Sequence, residues 1–187
     1  LARRGWQVAV FEREADFGGL VRRVIPAFRI ADGMIDADLA LLKSWGVELK
    51  PNHEVEDIGA LLRNHDAVLL TIGAEQPGRL KLKSGQAMNA LDFLAACKSG
   101  NMLPPGKQIV VAGGGNSAVD AARAALRLPG VERVSIAYRR DLRQMPAAEE
   151  ELKLAQAEGV RFLPLLQPLS LSGGQLSCGR MRLGPAD

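Results

Sequence analysis

The chain has 187 residues, 47% of them hydrophobic, with 24 basic and 21 acidic side chains and a net charge of +3. That balance describes a globular protein with apolar material for one or two cores, and its charge is too small and too evenly spread to imply a nucleic-acid partner. No stretch approaches the roughly 20 apolar residues of a membrane span, and no signal-peptide pattern opens the chain.

The chain opens with Leu1-Ala2-Arg3-Arg4-Gly5, which reads as the last turn of a helix with a glycine just past its end. A domain rarely begins in the last turn of a helix, so the sequence reads as a piece of a longer one. Residues 7–11 (QVAVF) follow as a buried strand, then Glu12 and a turn at Gly18-Gly19. Residues 36–44 have helical spacing up to Gly46, 47–49 form a short strand, and 55–63 a short helix. Residues 67–72 (AVLLTI) read as an apolar strand ending at Gly73. A polar, glycine-containing crossing over 74–90 and a helix over 91–98 lead to Pro104-Pro105-Gly106, strong punctuation where a domain boundary is expected.

The pattern is cleaner beyond Lys107. Strands are predicted over 108–112, 133–138 and 160–166, with helices over 116–128 and 147–158 between them. Short connections between alternating strands and helices give a parallel, doubly wound sheet. The tail, with Gly173-Gly174 in a turn, reads as an antiparallel excursion and stops in a loop.

Gly113-Gly114-Gly115-Asn116-Ser117-Ala118 fits G-x-G-x-x-G/A directly after a strand and opening a helix. Gly113 permits the tight turn, Gly115 lets a pyrophosphate approach the backbone, and Ala118 allows close helix–strand packing. Asn116 and Ser117 open the helix, whose first N–H groups attract phosphate. A glycine turn can be purely structural, but the flanking strand and helix make dinucleotide binding the better reading.

The residue at the end of the second strand selects the dinucleotide. An NAD site places a carboxylate there, about 20 residues after the glycines. This chain has Tyr138-Arg139-Arg140 instead, with Arg143 close behind. Guanidinium groups bind a 2′-phosphate that a carboxylate would repel, so NADPH is expected. In the front half, Glu12 ends a strand where a ribose-binding carboxylate sits in such folds. With Gly18, Gly19 and the 67–73 segment it reads as an interrupted FAD-binding domain, whose own glycine loop would precede Leu1.

Cys97 and Cys178 are far apart and form no CxxC. That excludes a cysteine-rich zinc site and a thioredoxin-reductase-like dithiol, and fits a reducing cytoplasm. His53 and His65 lack ligand-spaced partners, so no metal site is expected.

The segments FERE (11–14), GGL (18–20), IPAFRI (25–30), DAVLLTIGA (66–74), GGGNSAVD (113–120), YRR (138–140) and MP (145–146) together resemble the NADPH-dependent glutamate synthase small-subunit family, which includes the flavin half of dihydropyrimidine dehydrogenase. ARAALRLPGVERVSIAYRR is most like the branch assigned to selenate reductase subunits. The resemblance implies an α/β, tandem Rossmann-like fold that binds two dinucleotides, present as a truncated fragment. It divides into a partial FAD-binding domain over 1–103 and an NADPH-binding domain over 104–187. It implies hydride transfer from NADPH to FAD, with electrons passing to iron–sulfur clusters outside this chain and to a partner subunit or domain. Glu12 would then bind the FAD ribose, Leu20 and Arg29 would contact FAD, and Gly73 would lie beside it. Ser117 and Ala118 would lie at the NADPH phosphates, and Arg139, Arg140 and Arg143 at the 2′-phosphate. In such enzymes the cofactors carry the chemistry, so no catalytic acid, base or nucleophile is assigned. The rival expectation is a catalytically inactive nucleotide-binding or subunit-docking module.

Overall fold

The computed structural model describes residues 1–73, 78, 80–102 and 106–184. The chain divides into two compact units, Leu1–Gln76 and Pro77–Asp187. No helix among the described residues is long and apolar enough to cross a membrane.

In the first unit a 3-10 turn, Ala2–Arg4, ends at Gly5, whose φ of 86° is the left-handed conformation expected of a closing glycine. Strand β1 (Ala9–Phe11) runs parallel to β2 (Glu48–Lys50), with Ala9 opposite Glu48. Between them lie helices α1 (Gly19–Arg23) and α2 (Asp32–Ser44). The Arg22 guanidinium ties the two helices, donating to Asp36 and, at 2.7 Å, to the Phe17 carbonyl. Helix α3 (Ile58–Asn64) starts at Asp57, whose carboxylate accepts the Gly59 N–H at 2.8 Å. Among the described residues, Val24, Pro26, Ile35 and Val47 are its buried apolar side chains.

The strand expected over 67–72 does not form. The segment pairs with nothing in a ladder, and Leu69, Leu70 and Ile72 are 75%, 60% and 83% exposed. A strand needs a neighbour for its N–H and C=O groups, and apolar composition alone does not supply one.

The second unit is built on a three-stranded parallel sheet in the order β3 (Gln108–Ala112), β4 (Arg133–Tyr138), β5 (Arg161–Pro164). The register sets Ala112 beside Ala137 and Tyr138 beside Pro164. Central β4 carries the core, with Val134 and Ile136 fully buried. Helix α5 (Asn116–Leu126) connects β3 to β4 and packs on both. Its alanines 118, 121, 122, 124 and 125 are buried because α4 (Ala90–Lys98) and α6 (Glu149–Ala157) also lie against it. Small side chains let the sheet and two helices approach one helix closely.

Leu165, at φ 55°, turns the chain out of β5 into an antiparallel hairpin of β6 (Leu166–Ser172) and β7 (Gln175–Arg180). This is the excursion expected of the tail. The compact units divide at Gln76/Pro77, whereas the sequence reading puts the boundary at 103/104. The difference is α4, whose Phe93 and Leu94 are buried in the second unit's core. Pro104 and Pro105, and the polar crossing at 74–77 and 79, lie outside the described residues.

Candidate functional site

The β3–α5 turn shows why three glycines stand in a row. Gly113 has φ 148°, and a Cβ there would also press on Ala118 at 3.1 Å. Its N–H donates to the Ala137 carbonyl at 3.1 Å, fixing the turn to the end of β4. Gly114 lies under the Tyr138 ring, and a Cβ there would come 2.5 Å from Cε2. Gly115 differs from both. Its backbone is extended (φ −88°, ψ 173°), which any residue adopts, and a Cβ there would meet nothing within 4 Å. Neither conformation nor packing asks for glycine at 115. The open space above it is what a dinucleotide pyrophosphate requires.

Helix α5 begins at this point. Its first bonds are made by the Ala118 and Val119 N–H groups, both to the Gly115 carbonyl. The N–H groups of Asn116 and Ser117 precede those bonds and have no place in the helical ladder. The turn therefore presents donors and the positive end of an 11-residue helix. The Asn116 side chain does something the sequence does not reveal. Its Oδ1 accepts the Ala148 N–H at 2.9 Å, and the Gly114 carbonyl accepts the Ala147 N–H at 3.1 Å. The glycine turn is thus bolted to the segment that leads into α6.

Parallel pairing of β3 and β4 brings the arginine loop to the same sheet end. Arg139, Arg140 and Arg143 are all exposed. Among the described residues none of the three has an ion pair or a side-chain hydrogen bond. By contrast Arg22, Arg63, Arg123 and Arg127 each hold a carboxylate. The loop itself is well tied. The Tyr138 hydroxyl donates to the Gln144 carbonyl at 2.8 Å, and the Leu165 N–H donates to the Arg140 carbonyl at 3.1 Å. Gly113, Gly115, Asn116, Ser117, Ala118, Arg139, Arg140 and Arg143 therefore share one end of one sheet.

Toward the other end of α5 lies an ionic cluster built on one buried arginine, for which no expectation from sequence stands. Arg123, buried on α5, donates to both Glu158 oxygens at 3.1 and 2.8 Å and to Glu151 at 2.6 Å. Arg127 completes it with two bonds of 2.9 Å to Glu158. The Arg123 bonds, then those of Arg127, hold the Glu158 carboxyl down at about 2. An arginine four residues before another, inside the alanine run 121–125, was the available signal.

The first unit places its predicted residues on separate segments. Glu12 follows β1, and its Oε1 accepts the Glu14 N–H at 3.0 Å. Gly18 and Gly19 enter α1 with φ 118° and 50°, Leu20 lies on α1, and Arg29 ends a turn closed on the Pro26 carbonyl. Gly73 follows the unpaired 67–72 segment. A cavity of about 250 Å³ in this unit lies between α2 and β1, against Leu42, Trp45 and Val10, and none of these six predicted residues lines it. His53 and His65 both pack on the Phe11 ring, at centroid distances of 4.9 and 6.1 Å. Among the described residues no group of His, Cys, Asp or Glu is arranged to hold a metal ion. Burial pushes the Cys97 thiol up, and Cys178 is exposed and unpaired.

No family model matches the chain. Relatives match along its full length. The YgfK protein of Escherichia coli O157:H7, whose name assigns no more than an oxidoreductase, is 40% identical over 100% of this chain and 19% of its own length. The small chain of NADPH glutamate synthase from Azospirillum brasilense is 32% identical over 100% of this chain and 43% of its own. The PreT subunit of NAD-dependent dihydropyrimidine dehydrogenase from Escherichia coli K12 is 31% identical over 98% of this chain and 45% of its own. The chain thus spans between a fifth and a half of these relatives, and the resemblance read from its motifs holds. Among solved structures, FprA from Mycobacterium tuberculosis superposes with a TM-score of 0.71 at 19% identity, over 93% of this chain and 60% of its own. A 2-naphthoyl-CoA reductase gives 0.70 at 15% identity, over 96% and 27%. The tandem Rossmann-like α/β fold expected of the chain is thus shared with these two proteins.

Proposed function

We propose that the second unit binds a nicotinamide dinucleotide across the β3–α5 turn and prefers NADPH to NADH. On this reading the chain is the pyridine-nucleotide part of an NADPH:acceptor flavin oxidoreductase. The names of its relatives divide between NADPH and NAD, so likeness alone does not choose the cofactor. The observation that carries the choice is the set of three guanidinium groups, without internal partners among the described residues, at the strand end beside the glycine turn. Gly115 leaves room for the pyrophosphate, the N–H groups of Asn116 and Ser117 face it, and Arg139 and Arg140 stand where the adenine ribose ends. A bound nicotinamide supplies a hydride and a bound flavin accepts it. The residues of this chain hold and orient the two.

The test is a titration of the chain and of Arg139→Ala with both nucleotides. A hydrogen bond to a charged group contributes about 1.5–3 kcal/mol, and exposure favours the lower end. Each 1.4 kcal/mol is about tenfold in affinity. Arg139→Ala is therefore expected to weaken NADPH about tenfold and to leave NADH nearly unchanged. Equal losses would mean that Arg139 supports the fold and reads no phosphate.

The first unit would contribute the FAD ribose contact through Glu12, with Gly18, Gly19, Leu20, Arg29 and Gly73 beside the same cofactor. The exposed apolar segment 67–72 supports completion of that site by polypeptide beyond these residues. Such polypeptide, or a partner subunit, would also carry the iron–sulfur centres, in a reducing cytoplasm that suits the free thiols of Cys97 and Cys178. Purified by itself, the chain is expected to hold less than stoichiometric flavin by absorbance. A fully loaded yellow protein would mean that these residues complete the site unaided.

A further inference from the structure

We propose that Asp141 is a positioning residue for the choice of cofactor: its carboxylate shapes the arginine loop to grip a 2′-phosphate, although its own charge opposes that anion. The inference rests on the NADPH reading above. A carboxylate between Arg140 and Arg143 is otherwise out of place at a phosphate site, because it repels the ligand and could neutralise the arginines. The structure shows that it does not neutralise them. Among the described residues Asp141 forms no ion pair with Arg139, Arg140 or Arg143.

The carboxylate is used on the backbone instead. Its Oδ1 accepts the Arg143 N–H at 3.1 Å, and the Gln144 Oε1 accepts the Asp141 N–H at 3.2 Å. The two side chains form a reciprocal capping box around the 3-10 turn Leu142–Gln144. This turn carries Arg143, while Arg139 and Arg140 immediately precede the box. The box in turn is anchored, because the Tyr138 hydroxyl donates to the Gln144 carbonyl at 2.8 Å. Tyr138 is the ring that covers Gly114. A continuous path therefore runs from the glycine turn through Tyr138 and Gln144 to Asp141 and the arginine backbones. Holding those backbones before the ligand arrives lowers the ordering cost of binding.

Charge and position predict opposite signs, which makes the idea testable. If Asp141 acted only through its charge, Asp141→Ala and Asp141→Asn would both tighten 2′-phosphate ligands. If it acts by position, Asp141→Ala loses the cap, while Asp141→Asn keeps an acceptor oxygen and sheds the charge. The whole 187-residue chain would be titrated with NADPH, NADH, 2′,5′-ADP and 5′-AMP. A lost cap of about 1 kcal/mol corresponds to roughly fivefold. Asp141→Ala is expected to weaken NADPH and 2′,5′-ADP roughly fivefold, with NADH and 5′-AMP within about twofold. Asp141→Asn is expected to bind the 2′-phosphate ligands as tightly as the native chain or tighter. Gln144→Ala, an exposed change that removes the other half of the box, is expected to shift selectivity in the same direction as Asp141→Ala. It provides the same readout should Asp141→Ala not fold.

Tighter or unchanged NADPH binding by Asp141→Ala and Gln144→Ala would overturn the proposal. Equal losses in Asp141→Ala and Asp141→Asn would also overturn it, since the acceptor oxygen that asparagine keeps would then not be what holds the loop. Failure of the underlying reading looks different. The native chain would bind NADPH and NADH alike, and Arg139→Ala would change neither.

Discussion

Arg123→Ala is expected to destabilise the second unit by about 3 kcal/mol at neutral pH, measured by urea unfolding. Removing one partner of a buried ion pair typically costs about 3–5 kcal/mol, because the remaining charge stays buried without compensation. The lower end applies because Glu158 keeps its two bonds to Arg127 and is partly exposed. The acid side of the stability curve should change with it. Bonds from Arg123 and then Arg127 hold the folded Glu158 carboxyl at about 2, below its ordinary value of 4.5. A depressed carboxyl adds stability that is complete above 4.5 and disappears as pH falls toward 2. The native chain and Arg123→Ala should therefore differ most above pH 4.5 and converge as the pH approaches 2. A constant gap across that window would mean that the arginine acts through its packing and not its charge.

A second large effect should separate two adjacent glycines. Gly115→Val is expected to weaken NADPH and NADH together by about a hundredfold. Its side chain would fill the open space over the turn and deny the pyrophosphate about two charge-assisted bonds, at about 1.5 kcal/mol each. The fold should survive, because position 115 already has extended backbone and no neighbour within 4 Å. Valine is a poorer start for α5 than glycine, so a loss of about 1 kcal/mol in stability is the most expected. Gly114→Val should behave in the opposite way, losing about 1–3 kcal/mol of stability by driving a side chain into the Tyr138 ring. Thermal melts beside nucleotide titrations would settle it. If Gly115→Val bound both nucleotides normally, the triple glycine would be a turn and nothing more.

The contrast between the two units explains what the sequence could disclose. In the parallel sheet of the second unit each strand pairs with a neighbour reached through one helix, as Ala112 reaches Ala137 through α5. Local alternation was then enough to order β3, β4 and β5 and to bring Gly113–Ala118 beside Arg139 and Arg140. In the first unit, residues 67–72 have the composition of a buried strand but no ladder partner, and composition does not encode the partner. Helix α1 has no counterpart among the elements expected from sequence, where only the turn at Gly18-Gly19 stands. Its five residues are too short for a periodic signal, and tertiary bonds from Arg22 hold them. Helix α4 was assigned across the proline punctuation because punctuation marks a break in the chain, whereas Phe93 and Leu94 follow the core. The Asp141-x-x-Gln144 box had a legible signature, and it was obscured by the arginines around it.

The open segment over 67–72 also bears on how this chain behaves in a test tube. Leu69, Leu70 and Ile72 present apolar side chains to solvent on backbone that belongs to no ladder. Such a surface is a template for another chain's strand, and the nearest supply in a concentrated solution is the same segment of a second molecule. Turbidity should rise with protein concentration and fall when a charge is introduced, as in Leu70→Lys. Titrations that judge the nucleotide site should accordingly be run dilute, where self-association does not mimic a loss of binding.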